Sequence, residues 1–138
     1  MKKKYLIVVA DYYKDIAKGL LDSALKLIPK SNIVKIIRVP GVFEIPVTIS
    51  KNIKKYDAFL ALGCVIKGQT PHFDFISQAS TNAIMDLSIQ NKKPIGNGII
   101  TCLNMNQAKL RRKKGAEAAS AVNSVLSQKW KLILIQRT

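Results

Sequence analysis

The chain has 138 residues, a net charge of +15 and 48% hydrophobic residues; that length fits one domain spanning residues 1–138, and so much apolar content excludes a disordered tail. No apolar run is long enough to cross a membrane, and Asp11 stops the stretch after Met1-Lys2-Lys3-Lys4 with no small-residue cleavage site behind it, so a basic cap on a buried strand is expected there and not a leader. A strongly basic domain raises nucleic acid as a partner, but the lysines are spread over helix faces without zinc-finger spacing, RNP-like aromatics or a basic arm, which turns the expectation to an anionic small molecule.

Tyr5 to Ala10 is an unbroken, branched apolar run, the pattern of a strand covered on both faces. From Lys14 to Leu27, Ile16, Leu20, Ala24 and Leu27 recur at helical spacing. Ile33 to Val39 reads as a second strand closed by Pro40-Gly41, and a helix is expected from about Glu44 to Lys54, with Pro46 in its first turn. Asp57 to Ile66 is the third strand. Pro71 then opens a long helix to about Asn91, with Phe73, Ile76, Ala83, Ile84 and Leu87 on one stripe.

Ile95 to Thr101 is the fourth strand. Asn104 and Gln107 have capping-box spacing and start a short basic helix, which Gly115 separates from an alanine-rich one, Ala116 to Leu126. Trp130 to Ile135 is apolar and is expected to pack on the body or on a neighbour. Strand and helix alternate four times, which predicts a parallel sheet with helices on both faces. Ligands of such folds bind beyond the carboxyl ends of the strands. That places interest on Ala10 to Tyr13, Pro40 to Glu44, Lys67 to His72 and the region after Thr101.

The segment Gly63 to Asp74 nearly matches a P-loop, but Gln69 stands where the lysine is required and Cys64-Val65-Ile66 reads as strand, which excludes a nucleotide triphosphatase. An anion site is still expected, with Gly68 admitting close approach and Thr70-Pro71 as N-cap and first helical residue, leaving free N–H groups. His72, the only histidine, falls in the first turn of that helix. The helix end disfavours an imidazolium, so a neutral ring able to take and return protons is expected.

Glu44 suits hydrogen bonds from a polyol or a first-turn helix position. Tyr12 or Tyr13 suits stacking on a flat heterocycle or packing at the edge of the fold. The run Arg111-Arg112-Lys113-Lys114 reads as a solvated face or a phosphate clamp. Cys64 and Cys102 lack neighbouring ligands at metal spacing, which predicts a reduced, cytoplasmic chain without a metal centre.

Three strings, in order along almost the whole chain, resemble the lumazine synthase family. They are Val39-Pro40-Gly41-Val42-Phe43-Glu44-Ile45-Pro46, then Ala61 to Phe75 with its Thr70-Pro71-His72-Phe73-Asp74 core, and Lys114-Gly115-Ala116-Glu117-Ala118-Ala119. The resemblance implies a three-layer α/β/α sandwich with a four-stranded parallel sheet, flavodoxin-like. It implies condensation of a ribitylaminouracil with a butanone phosphate in riboflavin biosynthesis, with no cofactor.

By the same resemblance His72 is the proton donor and acceptor, and Tyr12 stacks over the pyrimidine. Val42, Phe43 and Glu44 bind the ribityl chain, and Cys64, Val65 and Ile66 edge the ring. Gln69 and Thr70 hold phosphate. Asn97 and Arg111 reach in from an adjacent subunit, with Arg112 and Lys114 as alternatives to Arg111 because the segment before Lys114 is shorter than usual. Tyr13 stands where Asn is common in the family, and Asn97 where many members carry an aromatic. An isolated pentamer is expected over a sixty-subunit shell, since the chain starts almost directly at its first core strand. The competing expectations are an archaeal-type riboflavin synthase, or a non-catalytic flavin- or nucleic-acid-binding module.

Overall fold

A computed structural model describes residues 2–128; the apolar stretch from Trp130 to Ile135 lies outside the described residues. The order along the chain is β1 (Lys4–Ala10), α1 (Lys14–Leu27), β2 (Ile33–Val39), a 3-10 turn (Val42–Glu44), α2 (Ile45–Asn52), β3 (Ala58–Ile66), α3 (His72–Asn91), β4 (Ile95–Cys102), α4 (Met105–Arg111) and α5 (Gly115–Leu126). The four strands form one parallel sheet in the order β2-β1-β3-β4, as the alternation of elements predicts.

Side chains alternate across each strand, so the central strands feed two cores. Tyr5, Ile7, Val9, Leu60 and Leu62 pack with α1, α4 and α5 on one face. Leu6, Val8, Ala10, Phe59 and Ala61 pack with α2 and α3 on the other. Their continuous apolarity follows from burial on both sides. At the edge, β4 carries Gly96 beneath α5, where a Cβ would collide with the Ala118 carbonyl; that contact sets α5 directly on the sheet. The phenol of Tyr5 donates to Asn123 Oδ1 at 2.7 Å, and Asn123 Nδ2 donates to the Leu27 carbonyl at 2.8 Å, tying β1, α5 and the end of α1 together.

Several boundaries shift for local reasons. The helix expected from Glu44 is preceded by the 3-10 turn and ends at Asn52. Asp57 stays outside β3 because both its carboxylate and its N–H engage the backbone of Lys4, each at 2.8 Å. The long helix begins at His72, one residue later than expected, with Pro71 as its N-cap. The capping box of α4 forms: Gln107 N–H donates to Asn104 Oδ1 at 2.9 Å, and Leu103 N–H donates to Gln107 Oε1 at 2.8 Å.

Of the expected α3 stripe, Ile84 is buried and Ile76 and Leu87 pack on the second core, while Phe73 and Ala83 are partly buried and do not join it. On its opposite side Phe75, Met85 and Ile89 are exposed. Among the described residues no helix is long and apolar enough to cross a membrane.

Candidate active site

The strand order reverses direction between β1 and β3, since the chain leaves β1 towards β2 and returns past it to β3. Helices therefore diverge onto opposite faces at that point and leave a crevice beyond the strand ends. A groove of about 640 Å³ opens there, lined by Tyr12, Val42, Phe43, Glu44, His72 and the end of β3, among others. Three chain segments build it.

The first follows β1. Asp11 N–H donates to the Val39 carbonyl at 3.1 Å, extending the β1–β2 pairing, and the Tyr13 carbonyl accepts from Ala17 N–H at 2.9 Å at the start of α1. Tyr12 between them is 75% exposed, while Tyr13 is half-buried against the α1-side core. Their rings meet edge-on, with centroids 4.9 Å apart and planes at 84°.

The second segment is the 3-10 turn. Val42 is buried and sits over Gly63, where an added Cβ would fall 2.8 Å from Val42 Cγ2. A side chain at position 63 would lift the turn off β3. With Val42 so anchored, Phe43 stands 66% exposed at the rim. The backbone of Glu44 is held by Gly41 (3.2 Å) and by the Thr48 hydroxyl (2.8 Å). Its carboxylate has no hydrogen bond or ion pair among the described residues, so it is free to accept from hydroxyls of a ligand.

The third segment runs from the end of β3 into α3. Cys64, Val65 and Ile66 line the groove, and His72, exposed as the first residue of α3, closes it together with Ile76. Thr70 Oγ1 accepts from His72 N–H at 3.4 Å. Burial, with Cys102 beside it, pushes the Cys64 thiol up to about 12. Burial, then Cys64 and Tyr12, raises the Tyr13 phenol above its ordinary value of 10.0. Both groups are therefore neutral near pH 7. The groove's carboxylate and its imidazole are those of Glu44 and His72.

The structure thus brings Tyr12, Val42, Phe43, Glu44, Cys64, Val65, Ile66 and His72 into one groove. Gln69 and Thr70 lie exposed in the loop immediately before His72. Asn97, exposed on β4, accepts from Ile99 N–H at 3.0 Å, and Arg111 is exposed at the end of α4; neither lines the groove of its own chain.

Of the basic groups considered for phosphate, Arg112 pairs with Asp15 at 2.7 Å and Lys114 with Glu117 at 3.0 Å. Arg111 has no ion pair among the described residues. Of the other lining residues, Tyr13 was an alternative to Tyr12 for stacking and Gly41 falls in the segment Pro40 to Glu44, while Ile76 was not assigned to the site from the sequence. Ile76 follows His72 by one helical turn, a spacing that would have found it. Among the described residues no three His, Cys, Asp or Glu side chains cluster as metal ligands.

Residues 2–129 match the sequence family described as 6,7-dimethyl-8-ribityllumazine synthase. The protein of that name from Agrobacterium fabrum is 40% identical over 146 residues, covering 96% of this chain and 99% of its own length. Those from Nitrobacter hamburgensis (40% over 140 residues, 92% of this chain, 86% of that protein) and Cutibacterium acnes (40% over 133 residues, 90% and 80%) are similar.

Proposed function

The chain belongs to the 6,7-dimethyl-8-ribityllumazine synthase family, transferases of riboflavin biosynthesis, and from that premise we propose how its groove carries out the condensation. The substrates are 5-amino-6-(D-ribitylamino)uracil and 3,4-dihydroxy-2-butanone 4-phosphate. The 5-amino group attacks the ketone and water leaves to give an imine. Phosphate is then eliminated. The ribityl-bearing nitrogen closes the second ring with loss of another water, giving 6,7-dimethyl-8-ribityllumazine.

Tyr12 stacks on the pyrimidine, and the strand end Cys64-Val65-Ile66 edges the ring. Val42, Phe43 and Glu44 take the ribityl chain, whose hydroxyls donate to the Glu44 carboxylate. Gln69 and Thr70 hold the phosphate with Arg111 of an adjacent subunit, and Asn97 of that subunit completes the wall. His72 moves the protons between amine, carbinolamine and leaving water. Most of the rate comes from holding two reactants in register, an effect worth up to ~7–11 kcal/mol in well-oriented systems.

The observation that carries this reading is the meeting of His72 and a free Glu44 carboxylate with two exposed aromatic rings at the strand ends. Mixing the protein with both substrates should generate the fluorescent lumazine and release phosphate. Failure to form it, with both substrates intact, would rule the reading out.

The same reading makes the chain a cytoplasmic homopentamer. Two free cysteines, the apolar outer stripe of α3 and the position of Asn97 and Arg111 outside their own groove all support it.

A further inference from the structure

Tyr13 is absent from the binding roles above, yet among the described residues it is the one aromatic side chain that meets Tyr12. Tyr12 is 75% exposed, and a ring so free in solvent would exchange between rotamers before substrate arrives. Tyr13 differs in every respect that matters for holding a neighbour still. Its ring is half-buried against the core that contains Ile16, Leu20 and Cys64, and its backbone carbonyl is engaged by the first turn of α1 at 2.9 Å. It faces the groove on one side and, on the other, a cleft shared with Ile16, Met105 and Lys109. Its ring meets Tyr12 at 4.9 Å and 84°, the edge-to-face arrangement that aromatic quadrupoles favour.

We propose that Tyr13 is a positioning residue for the flat-ring substrate, acting through Tyr12 by fixing that ring in its stacking orientation before binding. The proposal rests on the lumazine synthase reading and deepens it. The contact that matters is ring against ring, so the hydroxyl of Tyr13 is dispensable and its aromatic edge is not. The ketone phosphate, which has no ring, is indifferent to it.

The test is a kinetic cycle of Tyr13→Leu, Tyr12→Leu and the double variant, with Tyr13→Phe as the conservative control. Thermal melts accompany each to show that it folds. Losing the edge-to-face contact should raise KM for the pyrimidine roughly 3- to 10-fold. The ketone phosphate KM and kcat should stay within about twofold of the unaltered chain. Tyr13→Phe should restore the pyrimidine KM. In the double variant the loss should fall short of the product of the single losses, because Tyr13 has nothing left to hold.

Fully multiplicative losses, or a Tyr13→Phe chain as impaired as Tyr13→Leu, overturn the role of Tyr13 while leaving the enzymatic reading intact. Absence of lumazine formation by the unaltered chain removes both. Binding of the pyrimidine alone, by calorimetry, must show the same pattern if the effect lies in substrate placement.

Discussion

At the scale of single residues, His72 meets the contents of the groove directly, since it is exposed at the mouth of α3. Replacing it should slow the reaction without stopping it, because imine formation between an aromatic amine and a ketone needs little help once the partners are placed. General acid–base groups typically contribute ~10²–10⁴, and His72→Ala is expected near the lower end, read as kcat in the fluorescence assay. An unaltered rate would remove the imidazole from the chemistry.

Cys64 titrates on a different axis. Its thiol is raised from 9.0 to about 12 by burial and by Cys102, so the unfolded chain loses this proton near pH 9 while the folded chain keeps it. The stabilisation is complete below pH 9 and is lost as pH climbs through 12. Melting temperature should fall between pH 9 and 12, and Cys64→Ala should show a shallower fall than the unaltered chain; identical slopes would discount the thiol.

Elements place these residues, and their ends decide how well. α3 is capped after Asn91 by Lys92, whose φ of 54° is left-handed, a conformation that costs an ordinary side chain roughly 1–2 kcal/mol and glycine almost nothing. Lys92→Gly should therefore stabilise the protein by about 1 kcal/mol, measurable by urea unfolding, with no change of fold. At the end of α4, the Arg112–Asp15 pair couples that helix to α1 at 2.7 Å, while Arg111 has no ion pair among the described residues. Arg111→Ala should raise KM for the ketone phosphate at least several-fold more than KM for the pyrimidine, as expected on removing a forked phosphate donor; equal losses would assign Arg111 to structure.

Much of this scale was legible in the sequence. Strands buried on two faces announce themselves as branched apolar runs, and Asn104 with Gln107 forms the capping box its spacing predicts. The turn at Val42–Glu44 was not legible, because what seats it is the missing side chain of Gly63, a neighbour only in space. The engagement of Arg112 by Asp15, 97 residues away, was hidden for the same reason, whereas Tyr12 and Tyr13 are chain neighbours whose edge-on ring geometry depends on how each side chain packs. Motif strings identify which residues belong to a groove, but long-range packing decides which of them hold one another.

For the whole molecule, the decisive test is whether one groove draws on two chains. His72→Ala and Arg111→Ala chains, each impaired alone, should after mild dissociation and mixing show more activity than the mean of the two parents, measured at ketone phosphate below its KM. In a randomly mixed ring roughly a quarter of the seams would pair an intact His72 with an intact Arg111. No such excess, in assemblies shown by mass to be mixed, would place both residues in a single subunit's site. In the proposed ring the outer stripe of α3, with Phe75, Met85 and Ile89 exposed on the single chain, would be covered by a neighbour, and disassembly would uncover it. A lone subunit carries that oily ridge into water, where it invites unproductive clumping. Dilution of the proposed assembly is therefore expected to expose that ridge. Samples kept scarce should lose activity by precipitation and gain brightness with a hydrophobic dye, while concentrated stocks stay clear.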